Sequence, residues 1–200
     1  MSKQVMLAGA GGINSWLVRD LYDLVQTSQL PADVEFTIYD GDLVEEKNLL
    51  YQNFTISDVL KNKADSLSER YLFFSEPKYI EDPKDFKGYD IIICGVDNAV
   101  FRKMLFQYVM KNDIDFWMDL RAEGTRVAAY CKHKNQTLKG LVDTLPKDAG
   151  NDTTSCQLAY ELEAGIVQLG NRIIATIGAQ FLLNHFRNEP VPSKYVQVFS

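Results

Sequence analysis

LAGAGGINSW, residues 7–16, carries an apolar run across three glycines into an amphipathic one. A strand that ends in glycine and passes straight into a helix makes a turn tight enough for backbone N–H groups to approach a phosphate. The helix N-terminus adds partial positive charge. The dinucleotide fingerprint Gly-x-Gly-x-x-Gly would begin at Gly9 and Gly11 and require a third glycine at position 14, where this chain has Asn14. The stretch predicts strand, tight turn and helix, and leaves open whether the turn serves a nucleotide, and which one. Glycines in such turns also occur in sheets that bind nothing.

Working outward, VMLAG (5–9) reads as the strand and INSWLVRDLYDLV (13–25) as the helix, with apolar residues at helical spacing. VEFTIYD (34–40) is a second strand ending in an acid. ISDVLKNKADSLSERYLFF (56–74) reads as one helix capped by Ser57, with Val59, Leu60, Leu67 and Leu72 at spacings a helix partly gathers on a face. KYIE (78–81) is a short strand. DIIICGVD (90–97) is a continuous apolar run, as expected of a central parallel strand covered on both faces. NAVFRKMLFQYVMKN (98–112) follows as a helix, then DFWMDL (115–120) and TRVAAYCK (125–132) as strands. The second of these is antiparallel, because only Arg121–Gly124 separates them. Residues 133–155 are polar, with Gly140, Pro146 and Gly150, and form the expected mobile loop. Residues 159–186 make a long apolar helix or two broken near Gly170, and YVQVF (195–199) is a final strand. Alternating units of this kind predict an α/β fold: a doubly wound, Rossmann-like, mostly parallel sheet with C-terminal antiparallel strands. Ligands to such a sheet bind at the carboxyl ends of its strands, near the switch in strand order.

Composition narrows the function. The 200 residues are enough for one domain with a full core, and 46% of them are hydrophobic. A formal charge of −6 argues against binding dominated by nucleic-acid phosphates or anionic lipid, leaving small molecules and other proteins. Cys94, Cys131 and Cys156 are scattered and odd in number, which fits a reducing, cytoplasmic setting better than a disulfide framework. With only His133 and His185 besides, no four-ligand zinc pattern emerges. No signal peptide is recognisable, and no apolar run approaches the roughly 18 residues of a membrane-spanning helix.

Asp40 lies 28 positions beyond Gly12, farther than the ~20 typical of the dinucleotide fingerprint, and a ribose-binding carboxylate serves NAD and ATP alike. The residues around and after it are more selective. YDGDLVEEKNLLYQNF (39–54) resembles the Asp-x-Asp-x-Val, then Asn-Leu-x-Arg-Gln, signature of the ThiF/MoeB/HesA family, adenylating enzymes related to ubiquitin-activating enzymes. The resemblance runs in order through GAGGINS (9–15), Lys63 in NKADS, VDNAVFR (96–102) and SC (155–156) before the long helix, covering nearly the whole chain. Stand-alone ThiF-like proteins are similar in size.

The resemblance implies a single adenylation domain over residues 1–200 that uses ATP and Mg²⁺ to adenylate a carboxylate. The usual substrate is the C-terminus of a small ubiquitin-fold protein, and the usual assembly is a homodimer or heterodimer. Gly9, Gly11 and Gly12 would let backbone approach the nucleotide, Asp40 would accept from the ribose, and Asp42, Asn48, Gln52 and Asn98 match polar positions of the same pocket. Lys63 would neutralise charge building on the phosphates and Asp97 would hold Mg²⁺, since such reactions depend on positioning and electrostatics. Cys156 matches a cysteine that some relatives use to carry the activated partner and others keep as an inert residue. Cys94 is expected to be a core thiol and Arg102 a structural ion-pair partner. The long apolar segment is expected to support a dimer. Two departures stand out. Tyr51 occupies the arginine position of the signature, and with Met1–Gln4 before the first strand the chain is expected to lack an N-terminal segment from which some relatives extend an arginine. Lys47, Arg121 or a partner subunit are the candidates to replace those charges. A catalytically weak nucleotide-binding partner subunit is the alternative. An NAD(P)-dependent oxidoreductase is disfavoured by Asn14 and gives Lys63 and Asp97 no role.

Overall fold

A computed structural model describes residues 2–134 and 169–199. Strand β1 (Lys3–Ala8) leads through the glycine turn to helix α1 (Asn14–Gln26), β2 (Val34–Tyr39), α2 (Lys63–Tyr71) and β3 (Phe74–Glu76). Strand β4 (Ile91–Cys94), α3 (Ala99–Lys111), β5 (Phe116–Glu123), β6 (Arg126–His133), α4 (Gly170–Phe186) and β7 (Lys194–Val198) complete the described elements. The seven strands form one sheet in the order β3-β2-β1-β4-β5-β6-β7. The pairs from β3 to β5 are parallel, and β5/β6 and β6/β7 are antiparallel. This is the mostly parallel, doubly wound sheet with antiparallel C-terminal strands that the sequence predicts.

The central strands β1 and β4 carry continuous apolar runs, Val5–Ala8 and Ile91–Cys94, because both faces are covered. Val5 and Leu7 of β1, with Ile91 and Ile93 of β4, pack under α1, α2 and α4, while Met6, Ala8, Ile92 and Cys94 face the opposite way against α3 and Phe86. The chain changes face between β3 and β4, so β1 and β4, neighbours in space but far apart in sequence, bracket the switch point. Burial pushes the Cys94 thiol up to about 12, consistent with a core residue.

Three elements differ from the sequence reading. Residues 56–74 are not one helix. They form a 3-10 turn at Ile56–Asp58, an irregular link, and α2, whose cap is Asn62 rather than Ser57. Leu60 and Leu72, which supplied half of the expected apolar face, are each 78% exposed and lie in the left-handed backbone region at φ 70° and 58°. The short edge strand is Phe74–Glu76, not 78–81. Strand β5 also extends to Glu123, leaving only Gly124 and Thr125 to turn into β6. Most of the expected 133–155 loop, and Cys156, lie outside the described residues, with His133 closing β6. In the described part of the long apolar segment, Ile174, Ala175, Ala179, Leu182 and Leu183 are buried in the chain's own core. Ile173, Ile177 and Phe181 of the same helix are half-exposed.

Candidate active site

At the carboxyl ends of β1, β2 and β4, beside the switch point, lies a cleft of about 590 Å³. Every sequence-predicted site residue within the described range lines it: Gly9, Gly11, Gly12, Asp40, Asp42, Asn48, Gln52, Lys63, Asp97 and Asn98. The floor is the glycine turn. Gly9 has φ +87°, and a Cβ there would come within 2.9 Å of Val96 Cγ2, so the position requires glycine on both counts. Gly11 meets nothing within 4 Å, leaving open space over the turn. Asn14, where the dinucleotide fingerprint has its third glycine, is fully buried and donates through Nδ2 to the carbonyls of Ala8 and Gly9, each at 2.9 Å. A Cβ on Gly95 would sit 2.5 Å from the Asn14 side chain. An amide wedge thus joins β1, β4 and α1 where dinucleotide folds use close helix packing.

The acidic end of β2 forms one wall. Asp40 accepts from Ala10 N at 2.7 Å and Asp42 N at 2.8 Å. Burial pushes its carboxyl above the ordinary range despite those bonds and the nearby Lys63 charge. Asp42 accepts from Lys63 Nζ through Oδ2 at 2.9 Å and from the Tyr79 hydroxyl through Oδ1. Burial opposes its ionisation, yet these two bonds and the charges of Lys63 and Lys47 outweigh burial and hold it below the ordinary range. Lys63 is 7% exposed, and among the described residues Asp42 is its only hydrogen-bond partner. An ammonium taken this far from water with donors to spare marks a place for a further anion.

A second part of the lining is the 3-10 turn Glu46–Leu50 and its exit. Asn48 closes a capping box, its Oδ1 accepting from Glu45 N at 2.9 Å. Its Nδ2 makes a long 3.4 Å contact to the Tyr51 hydroxyl. Gln52 is buried, and its Oε1 has no hydrogen-bond partner among the described residues. At the end of β4, Asn98 caps α3 by accepting from Val100 N and Phe101 N at 2.9 and 3.0 Å, while Asp97 is exposed and makes no ion pair or hydrogen bond among the described residues. No cluster of three metal-ligating side chains occurs among the described residues. One open carboxylate beside a phosphate-type turn suits Mg²⁺, which keeps water and substrate phosphate in its shell rather than entering a protein cage. The described lining carries five carboxylates, Asp40, Asp42, Glu45, Glu81 and Asp97, against Lys47, Lys63 and Lys78. A bare polyphosphate would meet repulsion that a divalent cation relieves.

Of the groups weighed against the missing arginine, Lys47 lines the cleft and pairs with Glu45 at 2.9 Å. Arg121 does not line it. It grips the buried Asp119 carboxylate through Nε and Nη2 at 2.8 and 2.6 Å and lies over Tyr130. Arg102 reaches the same carboxylate at 3.4 Å and donates to Val96 O, in keeping with a structural role. Sequence reading missed Lys78 and Tyr79, which enter the cleft from the link after β3. Pro77, which cannot donate to a sheet ladder, was the available sign that the strand ends before them.

No sequence-family profile matches the chain, and no curated protein matches it by sequence. By structure it is similar to PaaA (TM-score 0.71, 15% identity), with 98% of this chain and 60% of PaaA covered. It is also similar to the microcin C7 biosynthetic enzyme MccB in complex with N-formylated MccA (TM-score 0.72, 16% identity), with 98% and 64% covered. A third similar structure is E. coli MccB with ATP (TM-score 0.68, 16% identity), with 98% and 63% covered. The chain therefore spans about three fifths of these structures, and at this identity the likeness is one of fold. The class is an α/β domain of the MccB-like fold, with its cleft at the sheet's switch point.

Proposed function

We propose that this chain binds ATP with Mg²⁺ in the switch-point cleft and adenylates a carboxylate. The observation that carries the reading is the buried Lys63 ammonium, with Asp42 its only described partner, lining the same cleft as the glycine turn. The Gln52 carbonyl supports it, as a buried acceptor with no donor among the described residues. So does the ATP complex of MccB, a protein of the same fold. Asp40 would accept from the ribose, Lys63 would meet the phosphates, and Asp97 would hold Mg²⁺, which offsets phosphate charge when bound. The substrate carboxylate, already ionised, attacks the α-phosphorus; the bond to the pyrophosphate oxygen breaks and pyrophosphate leaves, so no general base is needed. The resemblance points to the C-terminus of a small ubiquitin-fold protein as substrate, and the MccA complexes of MccB support a small partner.

A ligand bound only by the native state raises its stability by mass action. Thermal shift with Mg·ATP, NAD and NADP side by side is expected to single out Mg·ATP, and stabilisation by NAD alone would overturn the reading. Pyrophosphate exchange into ATP with small candidate proteins then tests adenylation. Tyr51, neutral where the signature has arginine, favours a second reading, a nucleotide-binding subunit that needs a partner; ATP binding without exchange in the isolated chain is its signature. If Cys156 carries the activated partner, Cys156→Ala is expected to remove a reductant-sensitive adduct and leave exchange intact. Loss of both together would make the cysteine structural.

A further inference from the structure

Tyr79 lines the cleft. It sits in the link after β3, is 60% exposed, and its ring lies against the backbone of Gly41, where a Cβ would be 2.8 Å from three ring carbons. Its hydroxyl donates to Asp42 Oδ1, while the other oxygen of that carboxylate takes the Lys63 ammonium at 2.9 Å. Asp42 itself is half exposed. Held by Lys63 alone it would be free to rotate toward water, leaving a buried cation with no fixed counter-charge. A carboxylate held at both oxygens cannot rotate without breaking one bond. Glycine at 41 is what allows the ring to come this close, so the contact is built into the backbone as well as the side chains.

We propose that Tyr79 is a positioning residue: it fixes Asp42, and through Asp42 aims the remaining N–H donors of Lys63 at the nucleotide phosphates. This rests on the reading of the cleft as an ATP site. Lys63 has three donors and gives one to Asp42, so the ion pair orients the ammonium without using it up. Tyr79 acts on phosphate affinity while touching neither phosphate nor base. Its bond to Asp42 also pushes the Tyr79 phenol up to about 12, so it stays a donor throughout the neutral range.

The test is calorimetric titration of the full chain with Mg·ATP and with adenosine. Tyr79→Phe keeps the ring and loses the hydroxyl; losing a charge-assisted bond, it is expected to weaken Mg·ATP about tenfold and leave adenosine unchanged. Gly41→Ala, which displaces the ring, is expected to reproduce the effect. In an Asp42→Asn background, Tyr79→Phe is expected to do nothing further. Unchanged Mg·ATP affinity in Tyr79→Phe would overturn the proposal, as would equal loss for adenosine, which would mean direct contact. A loss that persists in the Asp42→Asn background would also overturn it. Failure of the unaltered chain to bind Mg·ATP at all would instead overturn the nucleotide reading, and this proposal with it.

Discussion

Tyr51 is the residue that most directly limits what this cleft can do. It is 8% exposed, its carbonyl accepts from Trp16 Nε1 at 3.0 Å, and its hydroxyl faces Asn48. A phenol offers a neutral hydrogen bond where a guanidinium would offer a charge-assisted one, a difference of about 1–1.5 kcal/mol, or roughly five- to tenfold. Lys63 is then the one deeply buried cation of the described cleft lining. Lys63→Ala is expected to abolish measurable exchange and Tyr51→Arg to raise it, with both read as exchange rate and ATP affinity. If Lys63→Ala behaves like the unaltered chain, the phosphates lie elsewhere. Both positions were legible in sequence because a motif fixes them. Tyr79 was not, because nothing near it in sequence says that its ring will rest on Gly41.

At the scale of the element, α2 is decisive. It has nine residues and presents Lys63 in its first turn, and helices this short depend on their ends and their packing. Asn62 accepts from Ala64 N and Asp65 N at 2.8 and 3.2 Å, and its Nδ2 donates to Asp40 O at 2.9 Å. One side chain therefore caps the helix and ties it to the acidic end of β2. Asn62→Ala is expected to cost about 1–2 kcal/mol in denaturant unfolding and to weaken ATP binding. Asn62→Asp keeps the cap acceptor but loses the donor to Asp40. It is expected to recover stability without recovering affinity; full recovery of both would make the tie to Asp40 irrelevant. The sequence reading starts this helix too early because Leu60 falls two helical turns before the buried Leu67, and runs it too far by including Leu72. Periodicity counts apolar residues but cannot tell that two of them face water.

Across the whole molecule the two ends of the sheet carry different chemistry. Opposite the cleft, His133 and His185 bring their Nδ1 atoms to 3.4 Å, with His185 stacked on Phe116 at 4.6 Å and Lys3, Asp115 and Lys134 nearby. Burial lowers the pKa of both, and with the His133 charge takes His185 down to about 4. A histidine with a depressed folded pKa is protonated in the unfolded chain first, so its contribution is present above its ordinary value near 6.5 and lost as pH falls toward 4. Melting temperature is expected to decline across that window. His185→Gln is expected to flatten the decline, and an unchanged slope would assign it elsewhere. Asp115, held low mainly by its bond to Lys3, adds its loss only at more acid pH.

From the sequence alone came the order of strands and helices, the doubly wound sheet and most of the residues that meet at its carboxyl end. These arise from local rules: apolar runs need cover on both faces, glycines end strands at tight turns, and a parallel sheet gathers its strand ends at one edge. Tertiary structure decided that Asn14 would wedge β1 against β4, that Arg121 would be drawn to Asp119 and away from the cleft, and that Tyr79 and Lys63 would grip one carboxylate. Most of these contacts join residues far apart in the chain. Their partners are set by three-dimensional packing, and side-chain identity along one stretch carries no record of which distant atom will lie within hydrogen-bond reach.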